Sequence, residues 1–107
     1  MSISSQMLKG VLEGCILKII SAKETYGYEI CESLILYGFE NISEGSVYPI
    51  LLRLQKKGLI TYRSEKSPYG PIRKYYYITQ DGETYLNEFL KDWKKIEESV
   101  NNVIRGV

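Results

Sequence analysis

At Gly58 the hydrophobic period of the chain changes, and that change limits the fold more than any other feature of the 107 residues. Upstream, Val47, Ile50, Leu51 and Leu54 recur at three and four residues, the spacing of a helix with one buried face. Downstream, "LITYRSEK" (59–66) and "RKYYYIT" (73–79) are rich in aromatic and β-branched residues, and the intervening "SPYGP" carries turn chemistry. A helix that stops at Gly58 and a two-stranded hairpin are therefore expected. If Ile60, Tyr62, Tyr76 and Ile78 face inward, Arg63, Tyr75 and Tyr77 point to the other face. Packing of one tyrosine inward, with the others covering the hairpin, accounts for "YYY"; stacking on single-stranded bases is the alternative.

Two helices precede this segment. Leu8, Val11, Leu12, Cys15, Ile16, Ile19 and Ile20 predict one helix over residues 5 to 21. Its Gly10 and Gly14 form a small-xxx-small pair that allows close helix approach, with a dimer interface as one setting. A second, short helix follows, with Thr25 as its N-cap, Ile30, Cys31, Leu34 and Ile35 on its buried face and Gly38 at its end. Beyond the hairpin, Thr79 caps a last helix over about residues 80 to 105, with Asp81 and Glu83 favoured in its first turns. Along it Leu86, Phe89, Trp93, Ile96, Val100 and Val103 are spaced 3, 4, 3, 4 and 3 residues apart, a helix seam. That seam is too short for an autonomous coiled coil, so it is expected to pack on something already folded, with the first helix of a second subunit the obvious surface.

Composition excludes several classes. The chain is long enough for one core and too short for two domains with separate cores. No apolar run approaches the ~20 residues of a membrane span, and the N-terminus lacks a secretory pattern, so a cytoplasmic address is expected. Cys15 and Cys31 lie among apolar helical positions and are expected as buried, reduced thiols. There is no histidine, which removes the usual base of catalytic triads and a common zinc ligand, and the carboxylates are scattered; no enzyme, metal or cofactor is expected. Net charge is only +1, yet residues 45 to 78 hold seven basic residues against Glu65 alone, a local +6 balanced by −5 elsewhere. Such asymmetry suits a polyanion facing the middle of the chain; a solvated basic surface is the plainer account.

Three helices followed by a hairpin is the order of a winged helix-turn-helix, whose third helix enters the major groove while the hairpin touches neighbouring backbone. The fold class expected is thus mainly α with a small β-hairpin, a winged helix-turn-helix plus a C-terminal dimerisation helix. In that frame "SEGSVYPILLRLQKKG" begins as a helix made for display. If Ser46 is the cap, Pro49 sits in the first turn; if Ser43 is, the start must be kinked or 3₁₀-like. Hydroxyls of Ser43, Ser46 and Tyr48, with free backbone N–H groups, suit phosphate oxygens and base edges. Arg73 and Lys74, just after the turn, can reach the DNA backbone or minor groove.

"LKGVLEGCIL" (8–17), "YGYEI" (26–30), "SEGSVYPILLRLQKKGLI" (43–60) and "GPIRKYYYIT" (70–79) resemble the signature stretches of PadR-family transcriptional regulators, and together they cover almost the whole chain. The single helix after the hairpin resembles the short PadR subfamily. The resemblance implies a homodimeric repressor on a double-stranded operator, with residues 1–79 as the DNA-binding domain and residues 80–107 as a dimerisation helix packed on the same module. It matches Tyr26, Ser43, Gly45, Ser46, Tyr48, Pro49, Arg73 and Lys74 to stretches used for DNA contact, and Arg53 of the same helix joins that set. Leu86, Phe89, Trp93, Ile96 and Val100 are expected at a dimer interface or a ligand site. Trp93 in particular matches an aromatic position that in some members lines a pore for small aromatic or hydrophobic effectors; its place on the seam means that burial between subunits explains it fully. The competing class is a winged-helix module that binds protein without sequence-specific DNA binding.

Overall fold

The computed structural model describes residues 3–8, 10–66 and 68–107; of the expectations above, Lys9 within the first helix, Ser67 within the turn, and Met1 and Ser2 of the first domain lie outside them. The element order is α1 (Ile3–Leu8), α2 (Val11–Ala22), α3 (Gly27–Leu36), α4 (Glu44–Lys56), β1 (Ile60–Lys66), β2 (Ile72–Ile78) and α5 (Gln80–Gly106). This is the mainly helical winged architecture with one two-stranded antiparallel sheet.

The single helix expected over residues 5 to 21 is two. Gly10 takes φ +81°, a left-handed conformation that costs glycine little and that interrupts the helical run between α1 and α2. The glycine pair does not act as a pair. Gly14 is buried, and a Cβ there would overlap the Phe89 ring, so its smallness lets α5 approach α2 within one chain, whereas nothing lies within 4 Å of the same atom at Gly10.

Thr25 is not the cap of α3. Its backbone pairs with Tyr76 of β2, donating to the Tyr76 carbonyl at 3.2 Å and accepting from the Tyr76 N–H at 2.7 Å, and its hydroxyl donates to Glu29 at 2.9 Å. The helix therefore starts one residue later than that cap would set, after Tyr26. At its other end Ile35 is exposed rather than buried, because the helix turns its face to the core through Ile30, Cys31 and Leu34.

The C-terminus of α4 fixes where the hairpin begins. Gly58, at φ +75°, donates to the Gln55 carbonyl, and Leu59 donates to Leu54, both at 3.0 Å. This is the glycine-terminated motif that satisfies the last carbonyls of a helix, and its usual apolar contact is provided by buried Leu54 and Leu59. The chain enters β1 in the register Ile60↔Ile78, Tyr62↔Tyr76 and Arg63↔Tyr75. Ile60 and Tyr76 are buried and Tyr62 and Ile78 partly so, while Arg63 and Tyr77 are exposed, which is the alternation expected. Thr79 then caps α5 by accepting from the Gly82 N–H at 3.0 Å, and its own hydroxyl donates to the Gly58 carbonyl at 2.7 Å.

The core joins Ile16, Leu17 and Ile20 of α2, Ile30 and Leu34 of α3, Val47, Leu51 and Leu54 of α4, and Ile60 of the hairpin, all at most 2% exposed. Only the start of α5 reaches it, through Gly82, Leu86 and part of Phe89; from residue 91 onward every residue but Asn101 is exposed. Cys31 is buried with its Sγ 3.8 Å from the Ile42 carbonyl, and Cys15 is half-buried; both are free thiols.

Gly82 tests this packing. A Cβ there would overlap the backbone carbonyl of Leu59, which is pinned between helix and strand. Gly82→Ala is expected to destabilise the fold by about 2 kcal/mol or more. Chemical denaturation reads it directly, and an unchanged midpoint contradicts the close approach.

Candidate nucleic-acid interface

With Val47, Ile50, Leu51 and Leu54 of α4 in the core, the opposite face of the helix carries Gly45, Pro49, Leu52 and Lys56, all exposed. Ser43 is the N-cap residue but makes no side-chain cap bond; its carbonyl accepts from the N–H groups of Ser46 and Val47 at 3.0 and 3.2 Å. The N–H groups of Glu44 and Gly45 in the first turn therefore stay open to an outside acceptor. Pro49 is not in the first turn but inside the helix, its missing N–H leaving the Gly45 carbonyl without the usual partner. Gly45 is exposed, so its carbonyl is not shut away from solvent and the lost bond is cheaper than it would be in the core. The expected kink is confined to the short Ser46-to-Ser43 bond of the opening turn.

Tyr48 leans from α4 onto the start of α3. A Cβ built on Gly27 would lie 2.8 Å from its ring and hydroxyl, so glycine makes room for the tyrosine. The side chain stays 48% exposed, with its hydroxyl 3.5 Å from Glu44. Partial burial, followed by the Glu44 carboxylate, pushes the phenol pKa up, so it is a neutral donor at physiological pH.

Next to Gly27, Tyr26 joins the hairpin to this surface. Its ring meets Tyr75 edge-on at 5.4 Å and stacks with Tyr28 at 6.5 Å, and the Arg73 guanidinium lies 4.5 Å above it. Arg63 sits 5.1 Å from Tyr75, donates to Glu24 at 2.7 Å and pairs with Glu65; its hydrogen bond to Glu24, then that to Glu65, raises its pKa further, and its charge is spent within the protein. Arg73 and Lys74 point to opposite faces of β2, Lys74 lying 4.7 Å over the Tyr62 ring. Tyr48 and Arg73 thus contact the neighbouring residues Gly27 and Tyr26 at the start of α3, with Ser43, Gly45, Ser46 and Pro49 on α4 near Tyr48, and Lys74 lies on the other face of the wing.

Arg53 occupies the far edge of α4, where its Nε is 3.7 Å from Glu13 of α2. Lys57 donates to the same carboxylate at 3.0 Å, and the Tyr85 hydroxyl of α5 at 3.2 Å. The Glu13 side chain is only 12% exposed. Three elements therefore meet on one carboxylate, and its hydrogen bond with Lys57 raises that ammonium's pKa above the ordinary 10.5. Sequence reasoning missed Leu52, Lys56 and Glu13. Steps of four, three and four residues from Gly45 would have found the first two; nothing local marks Glu13, whose partners are forty or more residues away.

The α5 seam is not one environment. Leu86 is core, whereas Phe89 and Trp93 line an open apolar groove of about 1310 Å³ with Cys15 and Ile19 of α2 and Leu36 and Tyr37 at the end of α3. Trp93 is 42% exposed, and Ile96 and Val100 lie further out, both exposed among the described residues.

Glu13→Ala is expected to cost about 1 kcal/mol, the scale of hydrogen bonds to half-exposed partners screened by solvent. The Lys57 part of that contribution is present at neutral pH and is lost as pH rises through the raised lysine pKa. Denaturation of both forms at neutral and strongly alkaline pH should show the difference shrinking; equal stability at neutral pH contradicts it.

Comparison with known proteins agrees with this geometry. The family model described as the transcriptional regulator PadR-like family matches residues 16–88. A PadR-like transcriptional regulator from Bacillus cereus has 53% identity and a TM-score of 0.85, with 95% of this chain and 99% of that one covered. Bacillus subtilis PadR in complex with operator DNA has 29% identity and a TM-score of 0.69, over 75% of this chain and 47% of that one. The Escherichia coli transcriptional regulator YqjI is 32% identical over 93 residues, 85% of this chain and 43% of the relative. With most of its length matched by the family model and these relatives on either side of it, the chain belongs to the PadR-like family of transcriptional regulators.

Proposed function

We propose that the protein is a cytoplasmic, homodimeric, sequence-specific repressor that grips duplex DNA with α4 and the hairpin wing of residues 1–79 and pairs its copies through residues 80–107. The observation that carries this reading is the continuity of Tyr48, Tyr26 and Arg73: a polar helix start and a basic wing presented side by side on one surface. The operator complex of Bacillus subtilis PadR supports it by homology. On this reading Tyr48, Ser43, Ser46 and the open first-turn N–H groups meet base edges and phosphates, and Arg73, held at a fixed angle by Tyr26, meets the DNA backbone. Lys74 contributes to the same field from the other face of the wing, and Arg53 from the edge of α4 once Glu13 is shared with Lys57.

Tyr48→Ala and Arg73→Ala are each expected to weaken operator binding with the fold intact, and Arg73→Ala to flatten the salt dependence of log K by roughly one unit of slope. A gel shift with a duplex selected from random sequence measures both. Wild-type affinity in both variants contradicts the interface, and failure to recover any preferred sequence favours a protein-binding module instead.

The exposed stripe of Trp93, Ile96 and Val100 supports dimerisation, since a helix projecting an apolar face into water calls for a second copy. Val100→Asp, on a fully surface position, should give a folded monomer by sedimentation and lose tight operator binding; an unchanged dimer contradicts this use of α5.

Relief by a small aromatic or hydrophobic effector is the finer part of the proposal, supported by the groove beside Trp93. An effector there acts by favouring a dimer geometry that spaces the two α4 helices wrongly for major grooves ~34 Å apart. Trp93 is the sole tryptophan, so flat aromatic compounds should quench the intrinsic indole emission. No quenching across a broad panel contradicts an effector site at Trp93.

A further inference from the structure

The outward stripe of α4 has no hydrogen-bonding side chain until its last member: Gly45, Pro49 and Leu52 carry none, and Lys56 ends the line. Leu52 is 52% exposed, with α4 packed so that this side chain points away from the core formed by Val47, Ile50, Leu51 and Leu54. The polar groups of the helix, Ser46 and Tyr48, flank the stripe on its two sides. Resting on the reading of α4 as the groove-entering helix, we infer that Pro49 and Leu52 form an apolar ridge that selects thymine by its C5-methyl group, with Leu52 as a specificity-determining residue.

The argument is one of chemical complementarity. In the major groove the base edges offer hydrogen-bond donors and acceptors at every pair, and one apolar group, the thymine methyl. An apolar side chain pressed onto a polar edge leaves that edge desolvated and unpaired, which is costly; pressed onto a methyl it removes apolar surface from water on both sides. Gly45, with no side chain at the leading end of the stripe, lets the helix axis come close enough for such short side chains as Pro49 and Leu52 to touch bases. Lys56, Lys66, Arg73 and Lys74, the basic residues of the segment with no ion-pair partner among the described residues, supply the attraction to phosphates that the ridge itself lacks. Specificity at these base pairs therefore comes from shape and methyl contact, while hydrogen-bond readout is left to the residues at the start of the helix.

Uracil tests this because it differs from thymine only in lacking the methyl, leaving every hydrogen-bonding group in place. The duplex recovered by selection from random sequence is synthesised with each thymine replaced singly by uracil, and full-length wild type, Leu52→Ala and Leu52→Met are titrated against the set. Wild type is expected to lose about four-fold in affinity, the value of one buried methyl-sized group, at one or two thymines per half-site. Leu52→Ala should bind the parent duplex more weakly and be indifferent to uracil at one of those positions, whereas Leu52→Met, of similar volume, should keep the sensitivity. Uracil tolerance of the wild type at every position, with sequence preference retained, overturns the ridge and leaves the DNA-binding function standing. Equal sensitivity in wild type and Leu52→Ala overturns the role of Leu52. Absence of any preferred duplex overturns the functional reading and the ridge together.

Discussion

Two backbone hydrogen bonds between Thr25 and Tyr76 hold the functional surface together. They pair the loop before α3 with the second strand of the hairpin, and so decide where the wing stands relative to the helices. With Thr25 fixed in that pairing, Tyr26 is delivered under Arg73 and beside Tyr75, and Gly27 is delivered under the ring of Tyr48. Thr25 is nearly fully buried, so these bonds form away from competing water, where leaving either group unpaired would be expensive. The wing is consequently packed as part of the helical core, and Tyr26, Tyr48 and Arg73 inherit the rigidity of that core.

The remaining contacts divide into those that hold the surface and those that leave it open. Arg63, Lys57 and Arg53 have carboxylate partners within the protein, and Glu13 gathers Lys57, Arg53 and Tyr85 from two other helices. Arg73 and Lys74 have aromatic rings beneath them and no carboxylate within ion-pairing distance among the described residues, so each guanidinium or ammonium is oriented while its charge remains unneutralised. The opening of α4 follows the same division: apolar residues fasten the helix to the core, and an uncapped first turn with an internal proline leaves donors and a carbonyl facing outward. The projecting half of α5 is likewise left open, with Trp93, Ile96 and Val100 exposed.

Much of this was legible in the residues because local physics governs it. The period change at Gly58, the alternation of the strands and the capping role of Thr79 all depend on neighbours a few positions apart, and each appears in the structure as read. The misses share a cause. Thr25 looks like a cap until Tyr76, 51 residues away, claims its backbone, and Ile35 looks buried until the packing of α3 shows that its core face runs through Ile30, Cys31 and Leu34. Gly10 reads as a tolerated helix glycine, and only its left-handed φ reveals the break. In the candidate site, the exposure of Tyr48 and Arg73 was readable from their settings, whereas the division of Arg73 and Lys74 between the two faces of the wing required knowing which rings each would cover.

Hydrogen exchange of the protein, measured with and without its selected duplex, tests most directly whether α4 and the wing act as one rigid surface. Amides of residues 43 to 53 and of residues 68 to 74 should become protected together, over the same range of DNA concentration, with Thr25 and Tyr76 already slow in the free protein. Protection of α4 alone, with the wing exchanging as it does in free solution, would contradict the account.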